Sequence, residues 1–314
     1  MENLIFSLNA TMPIFLLMVL GYIFNQVGIF DEVFAARMNK FVFKIALPVM
    51  LFQELSIADF SESWDTKFVL FCFVASLISI LIAVGIAMLI KERSVQGEFA
   101  QAAYRSSSAL LGCAFIQNIY GQAGPSALMI IGAVPLYNIA AVVILNLLKP
   151  NRGYINQETI KKTLKGVITN PIIIGIIVGL IWSLLKIPQT VILQKTVSCV
   201  ATLATPMGLM ALGASFNIHK AGKNIHLAFG CVFLKLIGFA AVFLPIAVWM
   251  GFRKEKLVAI LVMLGAATTV SCFVMARNLD HEGILTSSTV MLTTLLSAFT
   301  LTMWLFVLKT AELI

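Results

Sequence analysis

Apolar runs of about twenty residues recur from one end of this chain to the other, and they restrict its fold more than any other feature. A helix needs about 20 apolar residues to cross roughly 30 Å of hydrocarbon. Apolar side chains make up 60% of the 314 residues, and charged side chains only 11%. The runs are continuous rather than alternating, which disfavours a transmembrane barrel. The pattern predicts an all-α polytopic membrane protein.

Ten transmembrane spans are predicted, joined by short connections. They cover residues 4–25, 39–56, 67–90, 99–120, 126–148, 167–185, 190–215, 225–250, 256–278 and 284–310. The longest connection, 149–166, is predicted to be a cytoplasmic linker between a first unit (1–148) and a second unit (167–314). The N-terminal residues lack the basic region of a cleaved signal peptide, so we expect the first span to be retained.

The charges of the loops predict an orientation. The net charge is +8, and when the loops are assigned alternately, thirteen basic residues fall on one side and seven on the other. Because basic loops stay in the cytoplasm, both termini are expected on the extracytoplasmic side. The protein itself is expected in the inner cell membrane. The basic residues follow the loops instead of forming one patch, which predicts the lipid bilayer, and not nucleic acid, as their partner.

An internal repeat links the two units. The segment "PIFLLMVLGYIFNQVGI" (13–29) aligns with "PIIIGIIVGLIWSLLKI" (171–187). At a constant offset of 158 residues, Pro13 matches Pro171, Gly21 matches Gly179, and Pro48 matches Pro206. Five spans per unit is an odd number, so the second unit must enter the membrane from the opposite face. Inverted repeats are typical of secondary transporters, whose substrate site lies at the midplane. Pro48 and Pro206 are predicted to kink their helices.

Two spans at corresponding positions carry small and hydroxylic residues inside the membrane. The candidate site residues are Arg105, Ser106, Ser107, Ser108, Gly112 and Cys113 in the fourth span, and Ala267, Thr268, Thr269 and Ser271 in the ninth. Such residues serve close helix packing, or they satisfy backbone groups where a helix unwinds. An unwound helix also offers free N–H groups that suit an anion. The matched positions favour the second interpretation.

Arg105 and three further polar residues in the apolar runs need an interpretation of their own. Arg105 is expected about 9 Å below the surface, so it either snorkels to the interface or attracts an anionic substrate. For Lys235 snorkelling is favoured. Asn138, half-way through the fifth span, is compatible with an interhelical hydrogen bond and with a substrate contact. Glu54 is expected to be solvated near the outer surface.

Signals of enzymatic chemistry are absent from the sequence. There is no HExxH, GxSxG, P-loop or GxGxxG motif, and the three histidines lie at loops or span ends. The five cysteines fall within apolar spans, as expected of small buried residues. We therefore predict no enzyme activity, no metal and no cofactor. Without a P-loop, the expected energy source is an ion or substrate gradient.

Several stretches resemble the auxin efflux carrier family, which includes plant PIN carriers and bacterial malonate or malate permease-like proteins. They are "PIFLLMVLGYIF", "MNKFVFKIALPVMLF", "NPIIIGIIVGL", "ATPMGLMALGASF" and "TTVSCFVMARNLDHEG". The resemblance implies two inverted five-helix repeats, with broken fourth and ninth helices that cross near the substrate. Family members carry a proline at each break. Here the aligned positions are Ala114 and Ala267, so the sharpness of the breaks departs from the family pattern.

The sequence therefore predicts a secondary carrier of small organic anions, such as mono- or dicarboxylates or auxin-like acids, that works by alternating access. One alternative is a cation-coupled exchanger of the same fold. The absence of an aspartate pair from the crossover segments argues against this alternative. Another is a non-transporting membrane sensor or assembly protein, which the missing prolines favour. A coupling proton or sodium ion and a homodimer are compatible with the sequence.

Overall fold

The computed structural model describes residues 2–57, 64–108, 113–120, 125–150, 165–166 and 168–314. Within these residues the chain forms helices joined by turns and short extended stretches, and no β-strand is present. The predicted all-α class is confirmed for this part of the chain. Most of the predicted linker, residues 151–164, lies outside the described residues.

Seven α-helices come from the first half of the chain. They are Glu2–Gln26 (α1), Glu32–Phe41 (α2), Leu47–Ser56 (α3), Thr66–Met88 (α4), Arg93–Tyr104 (α5), Cys113–Tyr120 (α6) and Ser126–Leu147 (α7). A π-helical segment, Val42–Ala46, joins α2 to α3. The second predicted span therefore starts too late, at residue 39. The helix begins at Glu32, because the Asp31 side chain caps it by accepting a 2.6 Å hydrogen bond from the Phe34 N–H.

Nine α-helices come from the second half. They are Pro171–Leu184 (α8), Val191–Thr202 (α9), Ala204–Ala214 (α10), Ile218–Lys223 (α11), Ile225–Phe233 (α12), Phe239–Trp249 (α13), Lys254–Gly265 (α14), Ser271–Asn278 (α15) and Ile284–Thr310 (α16). A second π-helical segment, Leu234–Gly238, joins α12 to α13. The predicted span 284–310 coincides with α16, and the predicted span 225–250 ends one residue beyond α13.

Five helical stretches among the described residues are long and apolar enough to cross a membrane. They are Thr66–Met88, Ser126–Leu147, Val191–Ala214, Ile225–Trp249 and Ile284–Thr310. Of the other predicted spans, 4–25 corresponds to the 25-residue helix α1, and the rest correspond to shorter or interrupted helices, such as Pro171–Leu184 with 14 residues. A membrane-spanning helical protein is thus supported, and the number ten remains a prediction.

Pro48 and Pro206 occupy similar positions in their helices. Pro48 is the second residue of α3 and follows the π-helical segment Val42–Ala46. Pro206 is the third residue of α10, which follows a one-residue interruption at Leu203. Because proline has no N–H to donate, it is tolerated in the first turn of a helix. Each proline therefore starts a new helical segment after an irregular turn.

The helices form two bundles. In the first bundle, α3 packs along α8, α1 packs along α10, and α2 contacts α10. In the second bundle, α4 packs against α5 and α7, α16 against α12, and α14 against α13. The bundles meet where α1 packs along α16 and where α15 contacts α2. The interrupted helices α5–α6 and α14–α15 belong to the second bundle.

Glycines allow the closest helix contacts of the first bundle. A Cβ atom on Gly21 would lie 2.2 Å from the Met210 carbonyl oxygen, and a Cβ atom on Gly213 would lie 1.9 Å from that of Met18. In the α3–α8 pair, a Cβ atom on Gly175 would lie 2.5 Å from the Pro48 carbonyl oxygen. The backbones therefore approach closely at small residues, as is common between membrane helices.

A buried carboxylate ties the second bundle together. Glu98, on α5, is 2% exposed and accepts hydrogen bonds from the N–H groups of Gly283 (2.8 Å) and Thr286 (3.0 Å) at the start of α16. The Thr286 hydroxyl donates to the same carboxylate at 3.2 Å. A negative charge at a helix N-terminus satisfies donors that have no partner within the helix and complements the helix dipole. Glu98 thus fixes the start of α16 against α5.

Candidate functional site

The fourth and ninth spans are both interrupted. Helix α5 ends at Tyr104, residues 105–107 are not helical, Ser108 is π-helical, and α6 begins at Cys113. Helix α14 ends at Gly265, and α15 begins at Ser271 after an extended stretch. Serine and threonine side chains compete with helical backbone bonds, which favours such interruptions. The second interruption contains Ala267 and forms without a proline.

The position of the first interruption corrects the sequence interpretation. The resemblance implies a break at Ala114, but α5 already ends ten residues earlier, at Tyr104. Gly112 itself lies outside the described residues. Ala114, aligned with the family's proline, lies in the first turn of α6 and not at the point where α5 ends. The reason is that the serines after Tyr104 form hydrogen bonds to the other interrupted helix.

Hydrogen bonds join the two interruptions directly. The Ser107 N–H donates to the Ala267 carbonyl at 2.9 Å. The Ser106 hydroxyl donates to the Val262 carbonyl of α14 at 3.1 Å, and the Thr268 hydroxyl donates to the Ala102 carbonyl of α5 at 3.0 Å. Each interruption thus supplies a hydroxyl to a carbonyl near the C-terminal end of the opposite helix. The Thr268 bond reaches a carbonyl in the last turn of α5, where carbonyls commonly lack a partner within the helix, whereas the Val262 carbonyl also accepts from the Ala266 N–H at 3.1 Å.

Arg105 is buried at this junction. It is only 3% exposed, so the snorkelling interpretation is wrong for this structure. Its Nη2 atom donates to Asn138 Oδ1 and to Ser271 Oγ, both at 2.7 Å, and its Nη1 atom lies 2.7 Å from the Met275 sulfur. The Nε atom has no hydrogen-bond partner among the described residues. Arg105 therefore connects α5, α7 and α15, and Asn138 makes an interhelical hydrogen bond.

Lys235 is the second buried cation near the junction, and here the predicted snorkelling is also wrong. Its side chain is 0% exposed. The ammonium donates to the carbonyls of Leu264 (2.7 Å) and Met263 (3.3 Å), at the C-terminal end of α14. The C-terminal end of a helix carries partial negative charge, which a cation stabilises. Only one face of this span packs against the bundle, and Lys235 lies on that face, toward protein instead of the lipid interface.

Two small cavities flank the junction. The first has a volume of about 40 Å³, which gives room for about two or three water molecules. Its polar lining residues are Glu54, Arg105, Ser106, Ser107, Tyr137, Asn138, Thr269 and Ser271. The second cavity, of about 30 Å³, is lined by Ser107 and by residues 267–270, together with Thr11, Thr205 and Thr294. Both cavities lie between the two bundles.

The predicted site residues divide into two groups. Those that line one or both cavities are Arg105, Ser106, Ser107, Asn138, Ala267, Thr268, Thr269 and Ser271. Ser108 is buried beside them, and its hydroxyl has no partner among the described residues. Cys113 begins α6, but its side chain is outside the described part, as is Gly112. Pro48 lines a separate, open groove with Phe52 and Gly175.

Sequence reasoning missed two residues of the first cavity. Glu54 was expected to be solvated, yet it lines the cavity, and its Oε2 atom is enclosed without a hydrogen-bond partner among the described residues. Tyr137 precedes Asn138 on α7, and its ring contacts that of Tyr104, with centroids 5.6 Å apart. A carboxylate two residues before the predicted end of an apolar span was the available signal for Glu54.

Two comparisons with known proteins identify the family. A family model described as "Membrane transport protein" matches residues 6–305, nearly the whole chain. A protein of Methanothermobacter thermautotrophicus described as an uncharacterized transporter is 22% identical over 307 residues, which cover 96% of this chain and 98% of that protein. The matches extend through both bundles and both interrupted helices. The chain belongs to the membrane transport protein family, in agreement with its resemblance to auxin efflux carriers.

Proposed function

We propose that this protein is a secondary transporter of small organic anions, such as mono- or dicarboxylates or auxin-like acids, that works by alternating access. The observation that carries the proposal is the junction of two interrupted helices beside the buried Arg105. Irregular backbone at membrane depth is tolerated where it is enclosed by protein or lines a cavity. A junction of this kind is a common architecture for a substrate site in secondary transporters.

The charges around the junction favour an anion. Arg105 lines the first cavity, and Lys235 binds the Leu264 carbonyl at the C-terminal end of α14. Glu54 is the only acidic side chain among the described lining residues of either cavity. A guanidinium suits a carboxylate because its N–H groups can form two parallel hydrogen bonds. The Arg105 Nε atom, which has no described partner, leaves one donor available. The hydroxyls of Ser107, Thr269 and Ser271 would supply further donors.

The packing of the first bundle supports an inverted repeat as the basis of the mechanism. Gly179 approaches the carbonyl oxygen of Phe52, and Gly21 approaches that of Met210. Both members of the first pair lie 158 residues from members of the second, Gly179 from Gly21 and Met210 from Phe52. The first helix of each unit therefore packs in the same way on the second helix of the other unit. We infer that two inverted five-helix units exchange roles when the site opens to either side.

A cation-coupled exchanger is less well supported. In sodium-coupled carriers, the carbonyls at the C-terminal end of a half-helix are ligands for the sodium ion. Here the Lys235 ammonium already binds the Met263 and Leu264 carbonyls at that end of α14. The non-transporting alternative was based on the missing prolines. Its support is weaker because α14 is interrupted although position 267 is alanine.

The proposal is tested by counterflow in liposomes that contain the purified protein. Vesicles are loaded with unlabelled acetate, malonate, malate or indole-3-acetate, and uptake of the same labelled acid is measured. We expect saturable uptake of at least one acid and none in protein-free liposomes. A folded protein that exchanges none of these acids would contradict the anion-carrier function and favour a non-transporting role.

The substitution Arg105→Gln is expected to raise the apparent KM for the transported acid at least tenfold, about 1.4 kcal/mol of binding free energy. The reason is that the variant loses the only described guanidinium in the first cavity. The apparent KM of Arg105→Lys should lie between those of the wild type and Arg105→Gln, since lysine keeps the charge but loses the planar set of donors. Arg93→Gln, at the exposed start of the same helix, is the matched control. An unchanged KM in well-folded Arg105→Gln would limit Arg105 to a packing role.

A further inference from the structure

Glu54 and Arg105 face the same cavity from different bundles. Glu54 lies on α3 of the first bundle, and Arg105 follows α5 of the second. They are the only charged residues among the described lining of this cavity. The cavity holds about two or three water molecules. A movement of one bundle against the other would therefore change the separation between this carboxyl and this guanidinium.

The surroundings of Glu54 leave one carboxyl oxygen without a donor. The Oε2 atom is enclosed and has no hydrogen-bond partner among the described residues. Its neighbours in the cavity wall include the apolar side chains Leu47, Met50 and Leu51. A charged carboxylate in an apolar wall is costly unless it is paired. Glu54 can meet this requirement in two ways, by pairing with Arg105 across the cavity or by binding a proton.

We propose that Glu54 is the proton-binding group that couples anion transport to protons. This inference rests on the proposed function. The guanidinium of Arg105 can balance one carboxylate, either that of Glu54 or that of the substrate. When an anionic substrate pairs with Arg105, a second carboxylate in the same cavity is disfavoured by like-charge repulsion. Glu54 then binds one proton from solvent at Oε2, and anion and proton move together.

The other titratable groups around Glu54 are few. In the cavity they are Arg105 and the Tyr137 hydroxyl. Helix α8, which packs along α3, carries no charged residue. Helix α9, the next neighbour, carries Lys195 and Cys199, and both are exposed. On the preceding π-helical segment, Lys44 is exposed as well. A pairing of Glu54 with Arg105 would thus be the charge interaction that a substrate disturbs.

The first experiment measures proton binding without any transport. The midpoint of thermal unfolding of the purified protein in detergent is recorded between pH 5 and pH 8 for the wild type, for Glu54→Gln and for Glu32→Gln. Glu32 is an exposed carboxylate on the same bundle and serves as the matched control. We expect the difference in unfolding midpoint between the wild type and Glu54→Gln to change by about 2 °C or more between pH 5 and pH 8. Parallel profiles for these two proteins would overturn the proton site.

The second experiment measures coupling. Accumulation of labelled malonate, driven by an acidic exterior, is compared in liposomes with each variant and divided by that variant's own counterflow rate. We expect the normalised accumulation to fall at least tenfold in Glu54→Gln and to be unchanged in Glu32→Gln. Equal normalised accumulation in the wild type and Glu54→Gln would overturn the coupling. Lack of counterflow with all four acids would instead overturn the proposed function, while the unfolding profiles still decide the proton site.

Discussion

Gly213→Ala is expected to destabilise the protein by about 3 kcal/mol or more, at the upper end of the cost of overpacking. The added methyl group would lie 1.9 Å from the carbonyl oxygen of Met18 on α1. The opposing atom belongs to a helix backbone and cannot rotate away, so α1 and α10 must separate. The effect is measured as the change in the free energy of unfolding in a denaturing detergent, or as the thermal unfolding midpoint.

Glycines on four helices, α10, α1, α8 and α4, provide a graded series for this prediction. An added Cβ atom would lie 2.2 Å from the nearest atom at Gly21 and 3.0 Å at Gly179, and it would meet nothing within 4 Å at Gly85. We expect alanine to destabilise in the order Gly213, Gly21, Gly179. At Gly85 on α4 we expect alanine to be neutral or stabilising by up to about 1 kcal/mol, because glycine is a poor helix former. Equal effects at Gly213 and Gly85 would contradict the close approach of α1 and α10.

Much of the fold follows from hydropathy and local capping. Long apolar runs predict α4, α7 and α16 almost to the residue, because these helices lack interruptions and their ends have polar neighbours. The offset of 158 residues also predicts which glycines and helices correspond. The start of α2 was available in the sequence as well, since Asp31 is a typical N-cap residue before a helical segment.

The site was predictable in composition but not in position. The hydroxyl clusters of both spans indicate an irregular backbone, and most of their members line the cavities. The end of α5 at Tyr104, however, depends on two carbonyls more than 150 residues away, that of Val262 in α14 and that of Ala267 just after it, to which Ser106 and Ser107 donate. No local pattern encodes such bonds. Snorkelling was favoured for Lys235 and left open for Arg105 because depth along a helix says nothing about which face is enclosed by neighbouring helices.

Glu98→Ala is expected to destabilise the protein by about 3–5 kcal/mol, since each buried donor left without a partner costs about 1–3 kcal/mol. The substitution removes the acceptor of the Gly283 and Thr286 N–H groups at the start of α16. These groups lie in the protein interior, where water cannot replace the carboxylate. The start of α16 would lose its attachment to α5. Unfolding in a denaturing detergent provides the measurement.

Two further variants separate this role from a general effect of removing charge. Glu92→Ala, just before α5, removes an exposed carboxylate that accepts a hydrogen bond only from the nearby Ser94 hydroxyl among the described residues. It should change the stability by no more than about 0.5 kcal/mol. Glu98→Gln keeps the shape and one acceptor oxygen, so its loss should be smaller than that of Glu98→Ala. If Glu98→Ala were as stable as Glu92→Ala, the start of α16 would have to be held by other contacts, such as its packing along α12.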